Sequence, residues 1–170
     1  VGNNRRDYKT LENIYLILKE SRPNIQLKLA GVPQGKDVFL NHPEVEVLPF
    51  LSEKEFRSLY NRASLLILPL LEGGSSQTLN EALSSGLPVI TNTFPNLSDY
   101  IKTKAVLSFP PKDFTGMAHA CLDLLNDEKR SNIISKNARL HMLNYDNLII
   151  KKKLIIIYKN YLGFNICEDG

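Results

Sequence analysis

The sequence predicts an α/β fold in which a parallel sheet carries helices on both faces. Three observations predict it. Apolar runs of strand length, such as Leu65-Leu-Ile-Leu-Pro69 and Leu87-Pro-Val-Ile90, alternate at short spacing with stretches whose apolar residues recur at helical period. A polar loop with two glycines, Glu72-Gly-Gly-Ser-Ser-Gln77, joins the first of these runs to a short helical segment closed by Gly86 and Pro88, the order strand, loop, helix, strand. The whole chain has 170 residues, 43% hydrophobic and 23% charged, which is enough to bury one sizeable core in one domain.

The elements follow in order. Leu11, Ile14, Tyr15 and Leu18 recur at helical spacing, so about 8 to 21 is an amphipathic helix, with Asp7 as candidate N-cap and Pro23 at its end. Ile25, Leu27 and Leu29 alternate with Gln26 and Lys28 as a strand into a Gly31-Val-Pro33 turn, and Val45 to Leu48 forms another after a polar loop. Ser52-Glu-Lys-Glu55 is a capping box opening a helix to about Arg62. A strand over 65 to 69, the glycine loop, a helix over 78 to 85 and a strand over 88 to 91 follow, then a short helix near Leu97 to Ile101 and a strand near Val106 to Phe109. Phe114, Met117, Ala118, Cys121, Leu122 and Leu125 form one helical face, and two more helices span about 128 to 142 and 147 to 161. Residues 1–162 read as one domain and 163–170 as a flexible tail. Because the chain opens Val-Gly-Asn, its first strand is expected to be cut at or near Val1.

Charge and motif content exclude several functions. A net charge of +3 is too mild for a nucleic-acid partner, and no Lys/Arg cluster is interleaved with aromatics. The two cysteines, Cys121 on an apolar helical face and Cys167 in the tail, suggest no disulfide framework, and a cytoplasmic setting fits. No apolar run reaches the ~18 residues of a membrane span. His42, His119 and His141 are scattered without metal-ligand spacing, and no nucleophile elbow or P-loop lysine is present. Lys151-Lys-Lys153 lies among apolar residues; a solvated face is its commoner meaning, and contact with anionic lipid a minor one.

Two stretches carry chemistry. The glycine loop aims unpaired helix N-terminal amides at an anion, Gly73 and Gly74 let the backbone approach it, and Glu72 and Glu81 bracket the site. The opening Val1-Gly-Asn-Asn-Arg-Arg-Asp-Tyr-Lys-Thr10 places Arg5, Arg6 and Lys9 at the same sheet edge, where cations can meet a phosphate. Both stretches also have plainer readings: a solvated basic loop, and surface acids favoured by a helix start.

Glu72, the eight residues after it, and Glu81 running into Ala-Leu-Ser-Ser-Gly-Leu-Pro-Val-Ile90 resemble the donor-binding signature of retaining GT-B glycosyltransferases of family 4. The spacing is one residue longer than the family's usual one, and the extra residue falls in Gly73 to Gln77, so Glu81 transfers more safely than Glu72. The resemblance covers nearly the whole chain. It implies a Rossmann-like domain, the C-terminal half of a GT-B fold, that binds a nucleotide-diphosphate sugar (UDP-, GDP- or ADP-linked) without a cofactor or required metal. Transfer with retention to an acceptor glycan or lipid-linked sugar, in polysaccharide or glycolipid biosynthesis, would need the N-terminal acceptor domain, which these residues do not include. A fragment inactive alone is therefore expected. In the enzyme, peripheral contact with the inner face of a membrane is a further expectation.

The resemblance also implies roles. Lys9, with Arg5 or Arg6 in place of the family's usual Arg, would grip the diphosphate. Glu72 would contact the donor sugar, Glu81 would bond the ribose hydroxyls, and Gly73, Gly74, Ser75, Ser76, Gln77, Thr78 and Leu79 would surround sugar and diphosphate. Gly31 and the Val45-to-Ser52 segment match the part that holds the base, with Phe50 or Leu51 packing on it; a core role suits Phe50 equally. Thr78 reads alternatively as a helix cap. Asn92-Thr-Phe-Pro-Asn-Leu-Ser-Asp99 lacks the two glycines of the family's turn there and has Asp99 for its Glu. Two rivals share this architecture: a half-domain of a nucleotide-sugar epimerase, which needs acid/base carboxylates and a histidine in the cleft, and a non-catalytic α/β binding module.

Overall fold

The computed structural model describes residues 5–31, 37–73 and 76–162. In chain order the described elements are α1 (Tyr8–Ser21), β1 (Lys28–Leu29), β2 (Glu46–Val47), α2 (Glu53–Arg62), β3 (Leu66–Leu68), α3 (Gln77–Ser84), β4 (Val89–Asn92), α4 (Ser98–Lys102), β5 (Val106–Phe109), α5 (Phe114–Asn126), α6 (Glu128–Leu143) and α7 (Asn147–Leu162). Every strand pair is parallel: β1 with β2, and β3 with β4 and β4 with β5, so β4 is central in a three-stranded sheet. Strand followed by helix therefore gives the expected crossover architecture.

Local chemistry sets the helix starts. The Asp7 carboxylate accepts from the Thr10 amide, and Ser52 and Glu55 form a reciprocal capping box, both at the predicted positions. Asp113 and Asp127 cap α5 and α6 in the same way. The first strand is shorter than its alternation predicts. The Ile25 amide bonds the Arg22 carbonyl, 2.9 Å, in the turn leaving α1, and the partner strand β2 has only two residues. The polar loop before β2 also contains a 3₁₀ turn at Asp37–Phe39, which the sequence reading leaves as loop.

The core lies on both faces of the sheet. Val89 and Ile90, neighbours on β4 with no exposed surface, point to opposite sides. Val89 joins Leu68, Leu79, Leu83 and Ala138 under α3 and α6. Ile90 joins Ile14, Leu18, Met117 and Cys121 under α1 and α5. The predicted α5 face is right for Met117, Ala118 and Cys121, but Leu124 is buried and Phe114, at the first turn, is 36% exposed. Burial pushes the Cys121 thiol up to about 12, so it behaves as a core side chain. Helix α7 leaves Leu148, Ile156, Ile157 and Tyr161 exposed. No described helix is long and apolar enough to cross a membrane.

Candidate functional site

The site forms where the chain leaves β3. Buried Asn92, last residue of β4, accepts from the Leu70 amide at 2.6 Å and donates to the Pro110 carbonyl at 3.4 Å, fixing the first step of the glycine loop. The opening segment runs antiparallel alongside: the Asp7 amide bonds the Pro69 carbonyl, 3.0 Å, and the Leu71 amide bonds the Arg5 carbonyl, 2.9 Å. The two stretches singled out in the sequence, far apart along the chain, are thus side by side. Arg5 takes the left-handed conformation, φ 84°, uncommon for a residue with a Cβ.

Three contacts then link predicted site residues. Arg5 Nε meets Glu72 Oε1 at 2.8 Å, with both side chains more than half exposed. Arg6 Nη2 donates to Thr78 Oγ1 at 3.1 Å, while Arg6 Nη1 is buried and has no partner among the described residues. Burial lowers the Arg6 pKa from its ordinary 12.5, and Tyr8 and Tyr60 oppose the shift, so the group keeps its charge at neutral pH. Glu81, one turn further into α3, accepts from Gln77 Nε2 at 2.7 Å and from the Tyr60 hydroxyl at 3.1 Å. Burial, then the Glu81 carboxylate, push the Tyr60 phenol well above 10, so the proton stays on Tyr60 and Glu81 remains the acceptor.

The cap of α3 is Ser76, whose hydroxyl accepts from the Leu79 amide at 3.3 Å; Thr78 lies inside the helix and is not the cap. Leu79 is 1% exposed in the core, so its side chain belongs to packing rather than to a ligand. Gly73 has a reason the sequence does not show: a Cβ there would lie 2.4 Å from Asn96 Oδ1 and 3.0 Å from the Phe94 Cβ. Gly74 and Ser75 lie outside the described residues, as do Val1 to Asn4 and the tail with Cys167.

Other predicted residues stand apart. Lys9 bonds Glu12 at 2.6 Å on its own helix, which holds the Glu12 carboxyl below its usual range, and His42 Nε2 lies 3.4 Å from the other Glu12 oxygen. Gly31 has φ 71°, which explains a glycine two residues after β1. Phe50 is 94% exposed, which rules out the core role; Leu51 is half-buried. Asp99 pairs with Lys102 at 3.7 Å on the surface. Among the described residues no cluster of His, Cys, Asp and Glu could hold a metal ion.

Sequence reasoning missed Tyr60 and Asn92. Each carried a signal: Asn is depleted in strands, yet it closes the apolar β4 run, and Tyr60 stands four residues after Phe56, the two sharing a face of a helix in which Leu59 is the other apolar residue. The arrangement offers a charged donor at a helix start and a carboxylate acceptor one turn inside, chemistry suited to an anion joined to a hydroxyl-bearing group.

The family model described as glycosyl transferases group 1 matches residues 7–127. No curated protein sequence matches significantly. The C-terminal domain of LpcC, a glycosyl transferase group 1 family protein from Francisella tularensis, is similar at TM-score 0.70 and 14% identity, over 84% of this chain and 80% of that one. S. aureus TarM, as a mutant solved with fondaparinux, α-GlcNAc-glycerol and UDP, is similar at TM-score 0.74 and 15% identity, over 88% of this chain and 32% of that one. A candidate UDP-N-acetylglucosamine 2-epimerase from Listeria monocytogenes is similar at TM-score 0.65 and 15% identity, over 96% of this chain and 43% of that one. The chain thus spans less than half the length of the last two. At these identities the likeness is one of fold.

Proposed function

Because the chain belongs to the glycosyl transferases of group 1 and folds as the C-terminal half of a GT-B enzyme, we propose that it holds a nucleotide-diphosphate sugar at the carboxyl edge of its sheet. In the enzyme this half presents the donor to an acceptor bound by a second domain, and the sugar is transferred with retention. One observation carries the reading: half-buried Arg6 lies against the start of α3 with one guanidinium nitrogen on Thr78 and the other, a buried atom, without a partner among the described residues. An unpaired buried donor on a cation is costly, and a diphosphate oxygen beside the helix N-terminus would satisfy it.

The other roles follow from that position. Glu81, steadied by Tyr60 and Gln77, takes the ribose hydroxyls. Glu72 reaches the sugar after exchanging its bond with Arg5, and the freed Arg5 adds charge at the diphosphate. Fixed cations at the leaving diphosphate stabilise the charge that develops there, with no metal required. Lys9 joins them by leaving Glu12, whereas Phe50, exposed after β2, is free to stack on the base.

The epimerase alternative needs a histidine among these groups. Among the described residues His42 is the histidine bonded to a carboxylate, and it packs instead on the Tyr15 and Phe39 rings beside α1, with ring centroids 5.7 and 5.9 Å away. Its position supports the transferase reading over the epimerase one.

Calorimetric titration with UDP, GDP and ADP, and with the matching nucleosides, tests the proposal. The expected result is binding of at least one diphosphate, unchanged by EDTA, and at least tenfold weaker binding of its nucleoside. Absence of binding by all three diphosphates would overturn it.

A further inference from the structure

Helix α1 sets Lys9 and Glu12 one turn apart, and the loop before β2 brings a histidine against them. Lys9 Nζ bonds Glu12 Oε2 at 2.6 Å, and His42 Nε2 lies 3.4 Å from the other oxygen, Oε1. The three differ in exposure. The Lys9 side chain is 75% exposed, whereas those of Glu12 and His42 are 14% and 16% exposed. Lys9 can therefore swing toward a ligand at little cost, while Glu12 and His42 stay in place. A mostly buried carboxylate needs a partner of opposite charge, so losing one cation makes the other more necessary.

The other groups that face His42 do not change when Lys9 moves. Its ring packs on Tyr15 of α1 and on Phe39 of its own loop. Burial, then the bond to Glu44, push the Tyr15 phenol up to about 12, so Tyr15 carries no charge near neutrality. Glu44 is the second carboxylate that feels the His42 charge. It accepts from the Tyr15 hydroxyl at 2.9 Å and is attracted by Lys19, two partners independent of Lys9.

We propose that Glu12 is handed from Lys9 to His42 when a nucleotide-diphosphate sugar binds, and that His42 takes up a proton as this happens. The inference rests on the donor reading above, in which Lys9 turns from Glu12 to the diphosphate. Removing the ammonium leaves the His42 ring facing a carboxylate whose charge is no longer shared, and a nearby carboxylate favours the charged imidazolium. Histidine can answer near neutrality because its ordinary pKa is about 6.5. Glu12 and His42 are then positioning residues, acting through Lys9 rather than on the donor: together they set how readily Lys9 is released. A proton bound more tightly in the complex than in the free chain makes donor affinity rise as pH falls. The gain levels off once the free chain is protonated as well.

Calorimetric titration of the chain with UDP-glucose, GDP-mannose and ADP-glucose tests this. Esterified at both ends, these diphosphates have no group that titrates near neutral pH, so a proton taken up belongs to the protein. Repeating the titration in buffers of low and high ionisation enthalpy measures that proton. The expected result is uptake of a fraction of one proton with the donor that binds, and affinity about three- to tenfold higher at about pH 6 than at about pH 8. His42→Gln should bind the donor with neither uptake nor slope. Lys9→Ala should lose the same uptake with His42 intact, which a histidine serving only to pack on Tyr15 would not show. Glu12→Gln gives a second reading of the same loss and leaves the His42 ring packing untouched. Binding without uptake in the unaltered chain, or uptake that survives in His42→Gln, would sink the inference and leave the donor reading standing. Failure of all three donors to bind would remove both.

Discussion

At the residue scale the candidate site is a set of competing hydrogen bonds. Arg6 has one nitrogen on Thr78 and one in reserve, whereas Lys9 is held by Glu12 and Arg5 by Glu72. Arg6→Ala is therefore expected to weaken UDP or GDP about ten- to a hundredfold, the scale of a charge-assisted bond of ~1.5–3 kcal/mol, with little change for the nucleoside. Lys9→Ala costs less, because the free chain already engages Lys9 elsewhere; an equal or larger loss in Lys9→Ala would reverse the ranking of the two cations. Glu81→Gln should shrink the preference for ribo- over 2′-deoxyribonucleotide, and Tyr60→Phe should shrink it in the same direction by a smaller factor. Retained discrimination in a folded Glu81→Gln chain would leave Glu81 a surface acid of α3. Gly73→Ala brings a methyl to 2.4 Å from Asn96 Oδ1, so a loss of roughly 1–3 kcal/mol in urea unfolding is expected.

At the element scale the central strand β4 and the buried His141 of α6 each support a stability prediction. Ile90→Ala removes a side chain with no exposure between α1, α5 and the sheet, and should cost about 2–5 kcal/mol, read as a lowered urea midpoint. His141 of α6 is buried between the Tyr100 and Tyr145 rings and bonds Thr103 Oγ1 through Nδ1 at 3.0 Å. Burial lowers its pKa from the ordinary 6.5, with Asp99 opposing. The unfolded chain thus takes the proton first: stability is full above about pH 6.5 and declines as pH falls below it, until the folded pKa is passed. His141→Gln should flatten that slope between about pH 5 and 7. An unchanged slope in the variant would assign the acid sensitivity to other groups.

At the scale of the whole molecule the chain is the donor half of a larger machine in the proposed function. The 170 residues are expected to bind a diphosphate yet yield no product with a donor sugar and glycan acceptors. Glycosidic product from the purified chain, followed by chromatography, would show that the acceptor site is also present here. The chain covers 80% of the LpcC C-terminal domain and spans 32% of TarM.

Sequence alone determined what depends on neighbours in the chain. The Asp7 and Ser52 caps bond three residues ahead, the helical faces repeat every turn, and the loop from Glu72 into α3 has a composition few other structures need, so these and the parallel α/β layering were legible. Tertiary structure alone decided what depends on approach across the fold. Arg6 and Thr78 are 72 residues apart and Tyr60 and Glu81 21 apart, and nothing local to either partner specifies the other. The choice between Thr78 and Ser76 as cap turned on where α3 begins, and the burial of Leu79 on which helix face meets Val89.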